Sequence, residues 1–425
     1  MKKKNVLITG IGQANYIMQL YENIAPDLSS FNFNSINLQK FGNINLQNRA
    51  NKIFRENYQF NFPSLNLIDL IKGFFVLFQK SYFWRDHFIF FIEKGFLEYL
   101  KSGMLLSRKH LHALSLAKYI DIKTNTDIIH LHFINHKYGL FINYLKKDYE
   151  IIFTYWGSDI YRIKNWKDHE IQKSILPKAT IITAATPEMR FGIQTRFGFN
   201  LFDKLRVARF IHEKSFYNLA QDLMENRGWE KEFKKKMGIP QNKLILLYGH
   251  NSAEANNHLK FINCLAQLSE AHLKKFHIIF PLTYGNHDLN YIDEIKRQTK
   301  GIKTSFTFIE DFMEWEMIAK LKIVSNIYIH APTTDGLSAF LTEYFYTNNL
   351  AIVAGWLPYK TFVRKGITYL EFNDFMELQN ILENIKDYLS SYEVKIESNK
   401  DIVSSQFSIK KIKNEWLKIF KELEH

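Results

Sequence analysis

The sequence predicts an α/β protein with two doubly wound, Rossmann-like domains that face each other across a cleft. Its length of 425 residues exceeds what one ordinary hydrophobic core fills. Short apolar, β-prone runs alternate with helical patterns in two successive series, which is typical of two parallel sheets covered by helices. Hydrophobic residues make up 46% of the chain, with only 18 Gly and 8 Pro, so the composition is that of a folded protein.

The first series of runs predicts the strands of an N-terminal domain over residues 1–212. Asn5–Thr9 is the first strand, and later runs have the near-continuous apolar character of parallel strands covered on both faces: DIIHLHFI (127–134), EIIFTYWG (150–157) and TIITAA (180–185). His130 and His132 lie in the second of these strands, and we expect them to face opposite sides.

The second series predicts a C-terminal domain over residues 213–405, after a polar, charged boundary segment. Its strands are expected in five runs: KLILLYG (243–249), FHIIFPLTYG (276–285), SFTFIE (305–310), SNIYIHA (325–331) and LAIVAG (350–355). Helical patterns fill the gaps between these runs.

Charge and cysteine content restrict the function classes. The net charge of +13 favours polyanionic partners, either phosphates or an anionic membrane face, although an AT-rich genome would also give a Lys-rich composition. No nucleic-acid-binding motif is found, so no nucleic-acid partner is expected. The single Cys264, and an N-terminus without a long apolar signal region, predict a protein of the cytoplasm, either free or at the inner face of the cell membrane.

A basic, aromatic helical insertion, residues 65–107, separates the first strand from the next apolar run. It mixes Phe, Tyr and Trp with Lys and Arg at near-helical intervals. No run of 18 uncharged apolar residues occurs, so a bilayer span is not expected. Two interpretations remain open: the helices contact the headgroup layer of a membrane, or they pack on the first sheet with their charges in water.

The stretch APTTDGLSAFLTEYFYTNN, from Ala331, places polar residues between a strand and a helix. Doubly wound sheets bind ligands at the carboxyl ends of their strands. A helix beginning near Gly336 would direct the N–H groups of Gly336, Leu337 and Ser338 at a diphosphate. Glu343 would then reach a ribose, and Asp335 would face the group that the diphosphate carries. The alternative is that Asp335 caps the helix and Glu343 lies in solvent.

This stretch resembles the signature of the family 4 glycosyltransferases of GT-B architecture, in which an acid is followed, after seven intervening residues, by Glu. Asp335 stands where the family usually has Glu. The segment EIIFTYWGSDIYR, which contains Asp159, is similar to the family's T-x-H-G-x-D segment. The resemblance implies an N-terminal acceptor-binding domain and a C-terminal nucleotide-sugar-binding domain. It also implies a final helix, residues 406–425, that crosses back to the N-terminal domain.

A second resemblance is to the bacterial TDP-N-acetylfucosamine:lipid II N-acetylfucosaminyltransferase family. It rests on the order and spacing of YGHNSAEANNHLKFI, IIFPLTYGNHDLNYIDEIK and the segment that ends in PTTDGLSAF. The Pro-x-x-Tyr-Gly-Asn run at Pro281–Asn286 is its most specific element. That family uses a TDP-sugar and a polyprenyl-diphosphate-linked acceptor. Family 4 enzymes retain and these enzymes invert the anomeric configuration, so the stereochemical outcome stays open.

The polar residues of both loops suit glycosyl transfer from a nucleotide-diphosphate sugar, which requires stabilisation of the departing diphosphate. We expect neutral hydrogen bonds from Asn251, Ser252 and Asn257, and positive charge from His258 or Lys260. Tyr284 and Asn286 are expected to contact the nucleotide base. If the enzyme inverts, Asp159 is the expected general base, although it could instead cap the helix after YWGSD. No Asp-x-Asp motif occurs near a strand end, so neither a metal nor a cofactor other than the donor substrate is expected.

Together these features predict a glycosyltransferase that transfers a sugar from a nucleotide-diphosphate sugar to a lipid-linked or polysaccharide acceptor in bacterial surface glycan synthesis. Peripheral membrane contact would suit such an acceptor. Two alternatives remain. One is a GT-B-fold sugar-nucleotide epimerase, which should have a dense set of His, Arg and Glu around its cleft that we do not find. The other is a catalytically inactive sugar-nucleotide-binding or scaffold protein.

Overall fold

A computed structural model describes residues 2–10, 15–38, 44–61, 67–163, 165–211, 214–283 and 288–424. Contacts between Cα atoms divide the chain into two compact units. The first unit comprises Met1–Ile211 together with Ile412–His425, and the second comprises His212–Lys411.

The described part of the first unit contains a seven-stranded parallel sheet in the order β3-β2-β1-β4-β5-β6-β7. Its strands are β1 (Lys4–Thr9), β2 (Phe31–Asn37), β3 (Asn57–Gln59), β4 (Ile128–His132), β5 (Glu150–Thr154), β6 (Ile181–Ala184) and β7 (Leu205–Val207). The helices in the same range are α1 (Asn15–Ile24), α2 (Ile44–Ile53), α3 (Leu67–Phe78), α4 (Ser81–Lys123), α5 (His136–Gly139), α6 (Ser158–Tyr161), α7 (Trp166–Ile175) and α8 (Pro187–Phe197).

The second unit, where described, contains a six-stranded parallel sheet in the order β10-β9-β8-β11-β12-β13. Its strands are β8 (Leu244–Tyr248), β9 (Phe276–Pro281), β10 (Ser305–Ile309), β11 (Ile327–His330), β12 (Leu350–Ala354) and β13 (Leu370–Phe372).

The helices of the second unit cover this sheet and follow its strands in sequence. They are α9 (Lys214–Glu225), α10 (Glu230–Lys236), α11 (His258–Ala266), α12 (Glu270–Leu273), α13 (Leu289–Thr299), α14 (Trp315–Val324), α15 (Ala339–Phe345), α16 (Lys360–Arg364), α17 (Phe375–Glu383), α18 (Ile385–Ile396) and α19 (Asn399–Gln406). A last helix, α20 (Ile409–Lys421), begins in this unit and belongs to the first unit from Ile412 onward.

Each sheet has a switch point, where the strand order reverses. In the first sheet β1 lies between β2 and β4, and in the second β8 lies between β9 and β11. Connections leave such neighbouring strands in opposite directions, which opens a crevice at the carboxyl end of the sheet. The carboxyl ends of β1 and β4, and of β8 and β11, are therefore where ligand-binding residues are expected.

The C-terminal segment packs on the sheet of the first unit. The indole N–H of the fully buried Trp416 donates a hydrogen bond to the carbonyl oxygen of Arg209 at 2.7 Å. Phe420 packs edge-on against Phe31 and Phe33 of β2. The carbonyl oxygen of Leu423 accepts a hydrogen bond from Lys4 Nζ at 2.6 Å. Residues 412–424 thus complete the core of a domain whose other residues come almost 200 positions earlier.

The two strand histidines face the same side of the first sheet, so the expectation that they face opposite sides is wrong. Residues two apart in a strand share a face. The rings of His130 and His132 stack with centroids 4.1 Å apart. His130 Nδ1 and His132 Nε2 each share a hydrogen bond with Tyr21 Oη, at 2.6 and 2.9 Å. Both are fully buried, and burial lowers the pKa of His130 to about 3.

The helical insertion forms α3 and the first part of α4. Gly95, with φ of 78°, breaks α4 into two helical parts. No described helix is long and apolar enough to cross a membrane. The insertion nevertheless exposes a row of large apolar side chains, which we call the apolar face: Ile71, Phe75, Phe78, Trp84, Phe88, Phe91, Ile92, Phe96, Leu97, Leu100, Met104 and Leu105.

Candidate functional site

The loops after β8 and β11 meet at the switch point of the second unit. Thr333 N donates to the carbonyl oxygen of Ala255 at 2.7 Å, and Asn257 Nδ2 donates to that of Ala331 at 2.8 Å. The structure therefore brings together the two groups of residues that the sequence analysis selects, 251–258 and 335–338, at the carboxyl edge of the second sheet.

Asp335 lies at the centre of a hydrogen-bond network in this place. Its Oδ2 accepts a hydrogen bond from Tyr359 Oη at 2.7 Å and lies 3.5 Å from His330 Nε2. His330 is fully buried at the end of β11, and its Nδ1 is bonded to Tyr328 Oη at 2.8 Å. Burial opposes the charged form of Asp335, but His330, His250 and Tyr359 together lower the pKa of its carboxyl. An ionised acid is thus held here with its side chain 21% exposed.

The helix after this loop begins later than the sequence predicts. It runs over Ala339–Phe345, and Ser338 is its N-cap, with Ser338 Oγ accepting from Leu341 N at 3.1 Å. Gly336 lies before the helix, and its N–H donates to Asp335 Oδ1 at 2.7 Å. Gly336, Leu337 and Ser338 are all buried. Asp335 therefore does not cap the helix, and the N–H of Gly336 is occupied by Asp335.

Glu343 is buried and forms an ion pair with Lys322, so the alternative of a solvent-exposed side chain is wrong. Lys322 Nζ donates to Glu343 Oε2 and lies 3.7 Å from the ring centroid of Phe340. Lys322 is fully buried, and burial lowers its pKa to about 8 although Glu343 favours its charged form. Lys322 is a residue that sequence reasoning missed, because α14 gives it no distinctive motif.

The polar loop after β8 is organised mainly by bonds within itself. Asn251 Oδ1 accepts from Ala253 N at 2.9 Å and from Asn256 Nδ2 at 2.7 Å. Ser252 is buried, while Asn257 is partly exposed and adopts a left-handed backbone conformation with φ of 58°. Such a conformation costs free energy for a residue other than Gly and is common at ligand sites.

His258 does not supply the expected positive charge. It is fully buried, and burial lowers its pKa to about 3, so the imidazole is neutral near pH 7. Its Nδ1 lies 3.3 Å from Tyr291 Oη. Tyr284 and Asn286, the residues expected against the nucleotide base, lie outside the described residues.

Asp159 is buried in the loop after β5 of the first unit. Its Oδ1 accepts from the backbone N–H groups of Trp156 and Gly157 at 2.9 and 3.0 Å, and its Oδ2 accepts from that of Ile134 at 3.2 Å. Burial raises the pKa of its carboxyl to about 6, against the effect of these donors. That pKa suits a general base near neutral pH, and the bonds also fix the loops after β4 and β5 to each other.

An aromatic cluster beside Asp159 was missed by sequence reasoning. Tyr16 packs against Trp156 with ring centroids 4.8 Å apart, and Trp156 Nε1 donates to His132 Nδ1 at 3.2 Å. Phe133, directly after β4, has φ of 62°, which is rare for an aromatic residue and typical of strained positions at functional sites. Gly10, with φ of 85°, ends β1 so close to His132 that a Cβ would lie 3.1 Å from its carbonyl oxygen.

A lysine-lined cavity of about 870 Å³ was also missed. It lies in the first unit beside the residues that follow β4 and β5, and its cationic lining consists of Lys94, Lys109, Lys137 and Lys167. Burial, together with the charges of Lys109 and Lys94, lowers the pKa of Lys167. Glu93 and Asp168 are the acids that line the same cavity. An excess of positive charge in a concave site favours an anionic ligand.

Comparisons with known proteins identify the fold. No protein-family model and no curated protein matches the sequence. Solved structures match over the whole length: HepE of Anabaena in complex with UDP and glucose has a TM-score of 0.67 at 11% identity, covering 99% of this chain and 100% of that chain. A glycosyltransferase from Rickettsia africae has a TM-score of 0.68 at 16% identity, covering 99% of both chains.

Sucrose-phosphate synthase from Thermosynechococcus elongatus has a TM-score of 0.65 at 11% identity, again covering 99% of both chains. At such identities the likeness is one of fold. It confirms the predicted fold class, two doubly wound α/β domains of the kind found in GT-B glycosyltransferases.

Proposed function

We propose that this protein is a glycosyltransferase that transfers a sugar from a nucleotide-diphosphate sugar to a lipid-linked acceptor, or otherwise to a polysaccharide, in bacterial surface glycan synthesis. The observation that carries the proposal is the likeness over the whole chain to glycosyltransferase structures, including one with UDP-glucose bound. The polar loops at the switch point of the second unit supply suitable chemistry at the place where doubly wound sheets bind nucleotides.

In this proposal the second unit binds the donor. Asn257 and Ser338 offer neutral polar groups for the diphosphate, and Asp335 faces the transferred sugar. Glu343 contacts the ribose through Oε1, since Lys322 occupies its Oε2. Tyr284 and Asn286 remain the proposed contacts of the base. No step requires a metal at this site.

The first unit would bind the acceptor. Its lysine-lined cavity suits a phosphate or diphosphate group, and the apolar face of the insertion suits an acyl or polyprenyl chain in a membrane surface. Apolar patches larger than a few hundred Å² are uncommon on soluble monomers unless they bind something. This combination favours a lipid-linked acceptor over a soluble polysaccharide. Asp159 would be the general base for the acceptor hydroxyl if the reaction inverts.

A nucleotide-release assay tests the proposal. The protein is incubated with UDP-, TDP- and GDP-sugars, with and without polyprenyl-diphosphate-linked saccharides in vesicles or soluble glycans. We expect acceptor-dependent release of one nucleotide, and a TDP-sugar preference would favour the fucosaminyltransferase resemblance. Nucleotide binding without any release would support the inactive scaffold, and conversion of the sugar without release of nucleotide would support the epimerase.

A further inference from the structure

Two histidines and an aspartate converge inside the first unit, where His136 also lines the lysine-lined cavity; the proposed function assigns no role to any of the three. Asp86 and His110 come from the two parts of α4, on either side of Gly95, and His136 begins α5 after β4. Their side chains are 2%, 0% and 7% exposed. A buried cluster of this kind needs an explanation, because a carboxylate and two imidazoles are costly to remove from water.

The distances in this cluster are longer than those of ordinary N–H···O hydrogen bonds, which are about 2.7–3.2 Å. His110 Nε2 lies 3.4 Å and His136 Nε2 lies 3.8 Å from Asp86 Oδ2. Neither Nε2 atom makes a hydrogen bond within the described parts of the chain, although both are buried. Buried polar atoms normally have partners, and a bound ion is a recognised reason for apparent exceptions.

The same distances fit ligands of one tetrahedral ion. The candidate ligand atoms of all three residues lie within 4.8 Å of one another. Zinc binds His nitrogen and carboxylate oxygen at about 2.0–2.2 Å, which places neighbouring ligands of a tetrahedron roughly 3.3–3.6 Å apart. The distances of the two Nε2 atoms from Asp86 Oδ2, 3.4 and 3.8 Å, lie at or near this range, and the two rings would move towards each other to share an ion.

Surrounding groups hold two of the three side chains, His110 and Asp86, in an orientation suited to a metal. His110 Nδ1 is bonded to the buried Tyr144 Oη at 2.6 Å, which directs the other ring nitrogen at the cluster. Arg85 donates to Asp86 Oδ1 at 2.9 and 3.1 Å, leaving Oδ2 for the ion.

We propose that Asp86, His110 and His136 form a binding site for a divalent zinc-type ion, with a fourth position supplied by water. His136 also lines the lysine-lined cavity, so water from that cavity can reach the ion. The ion would join both parts of α4 to the loop after β4. This site is independent of the proposed glycosyl transfer and does not require it.

Metal analysis of the whole protein tests the site. Protein purified with chelator is exposed to Zn²⁺, dialysed, and measured for bound metal by mass spectrometry. We expect about one ion per chain, falling below roughly 0.2 in Asp86→Asn and in His136→Ala. His169→Ala, which removes a half-exposed histidine of the same unit, should retain the full amount.

Titration with Co²⁺ provides a second measurement. It uses only the parent protein, so it does not depend on whether the variants fold. Tetrahedral Co²⁺ with nitrogen and oxygen ligands absorbs visible light far more strongly than octahedral aqueous Co²⁺. Parent protein titrated with Co²⁺ should therefore show an intense band that saturates near one equivalent and disappears when Zn²⁺ is added. Parent protein that retains no Zn²⁺ and gives no such band would overturn the proposal, as would equal metal content in parent and both cluster variants.

Discussion

Asp335 and Glu343 differ at the residue scale in what surrounds each carboxylate. Asp335 is partly exposed and bonded to Tyr359, and its Oδ2 lies 3.5 Å from His330 Nε2. Glu343 is buried against Lys322. The first environment suits a group that meets substrate, while the second is an ion pair whose disruption leaves a charge without a partner.

The variant Asp335→Asn tests whether Asp335 meets the substrate. The amide keeps the size of the side chain but removes the negative charge opposite the transferred sugar, so turnover should fall roughly a hundredfold while nucleotide affinity changes less than about threefold. Steady-state kinetics and calorimetric nucleotide titration measure the two quantities. Asp374→Asn, at an exposed helix N-cap of the same unit, is the control. If nucleotide affinity and turnover fell by the same factor, Asp335 would not have the proposed role.

Lys322 gives a pH-dependence that can be measured. Its pKa in the folded protein is about 8, below the ordinary lysine value of 10.5, so between these pH values the unfolded chain binds a proton that the folded chain lacks. The stability of the second unit should therefore rise with pH across this window, by on the order of 3 kcal/mol. Denaturant titrations at several pH values test this. The rise should be absent from the double variant Lys322→Met, Glu343→Gln, and a rise of the same size in that variant would contradict the assignment.

Replacing only Glu343 by Gln should act on both stability and ligand binding. It leaves a buried Lys322 without its partner, at a cost of about 3–5 kcal/mol or neutralisation of the lysine. If Glu343 also contacts the ribose, nucleotide affinity at a temperature well below unfolding should fall about tenfold to a hundredfold. Calorimetry on folded protein separates the two effects, because unchanged affinity with a lowered melting temperature would leave Glu343 purely structural.

At the element scale, strands with continuously apolar sequences were predicted, whereas the polar strand β2 and the short edge strands were not. The strands β4, β5, β8 and β11 all lie within predicted runs, because burial on both faces requires apolar residues throughout. β2, with sequence FNFNSIN, was missed. Asn34 and Asn37 are buried in the structure, whereas a pattern of alternating Phe and Asn indicates a strand with one face in water. Short edge strands such as β3 and β7 have too few residues for any pattern.

The sequence predicts where the candidate site lies in the fold, but it does not predict which side chains surround the acids of the site. Strand order is needed to know that the loops after β8 and β11 meet, and a doubly wound fold supplies it. Strand order does not predict which side chains bond to Asp335 and Glu343. Lys322, His330 and Tyr359 come from three elements, and only the packing of α14 against α15 and β11 determines which side chain each acid meets.

The apolar face of α3 and α4 gives a prediction at this scale. If it enters a membrane surface, then replacing Phe75, Phe88, Leu97 and Met104 with Ser should weaken binding to anionic vesicles by at least a hundredfold, because each buried side chain contributes about 1.5–3 kcal/mol. Co-sedimentation with vesicles measures this. Met376→Ser with Val394→Ser, which removes comparably exposed apolar residues from the second unit, should bind like the parent.

Equal vesicle binding by the parent and the four-residue variant would indicate that the face has another use. Replacing Lys94 and Lys101 with Gln in the parent is a further comparison, since attraction to an anionic surface is worth about 1 kcal/mol per basic residue. The apolar variant should lose affinity at all salt concentrations, whereas the lysine variant should differ from the parent mainly at low salt.

At the scale of the whole molecule, the chain leaves the first unit after Ile211 and re-enters it at Ile412. A fragment of residues 1–211 therefore lacks Trp416 and Phe420, which cover His130 and β2 in the full chain. We expect this fragment to unfold at lower denaturant concentration than the first unit of the intact protein. A peptide of residues 407–424 added in excess should restore part of the loss, and its Trp416→Ala form should not.

This arrangement also has a consequence during synthesis on the ribosome. The last strand of the first sheet, β7, emerges about 200 residues before the segment that covers the sheet, which at 5–20 residues per second is a delay of roughly 10–40 s, and the delay is longer for the earlier strands. During that interval the nascent sheet presents Phe31, Phe33 and His130 without their final cover. The second unit, whose residues are consecutive, can reach its folded state first, and a trigger-factor-type chaperone would have the whole of this delay in which to bind the incomplete first unit.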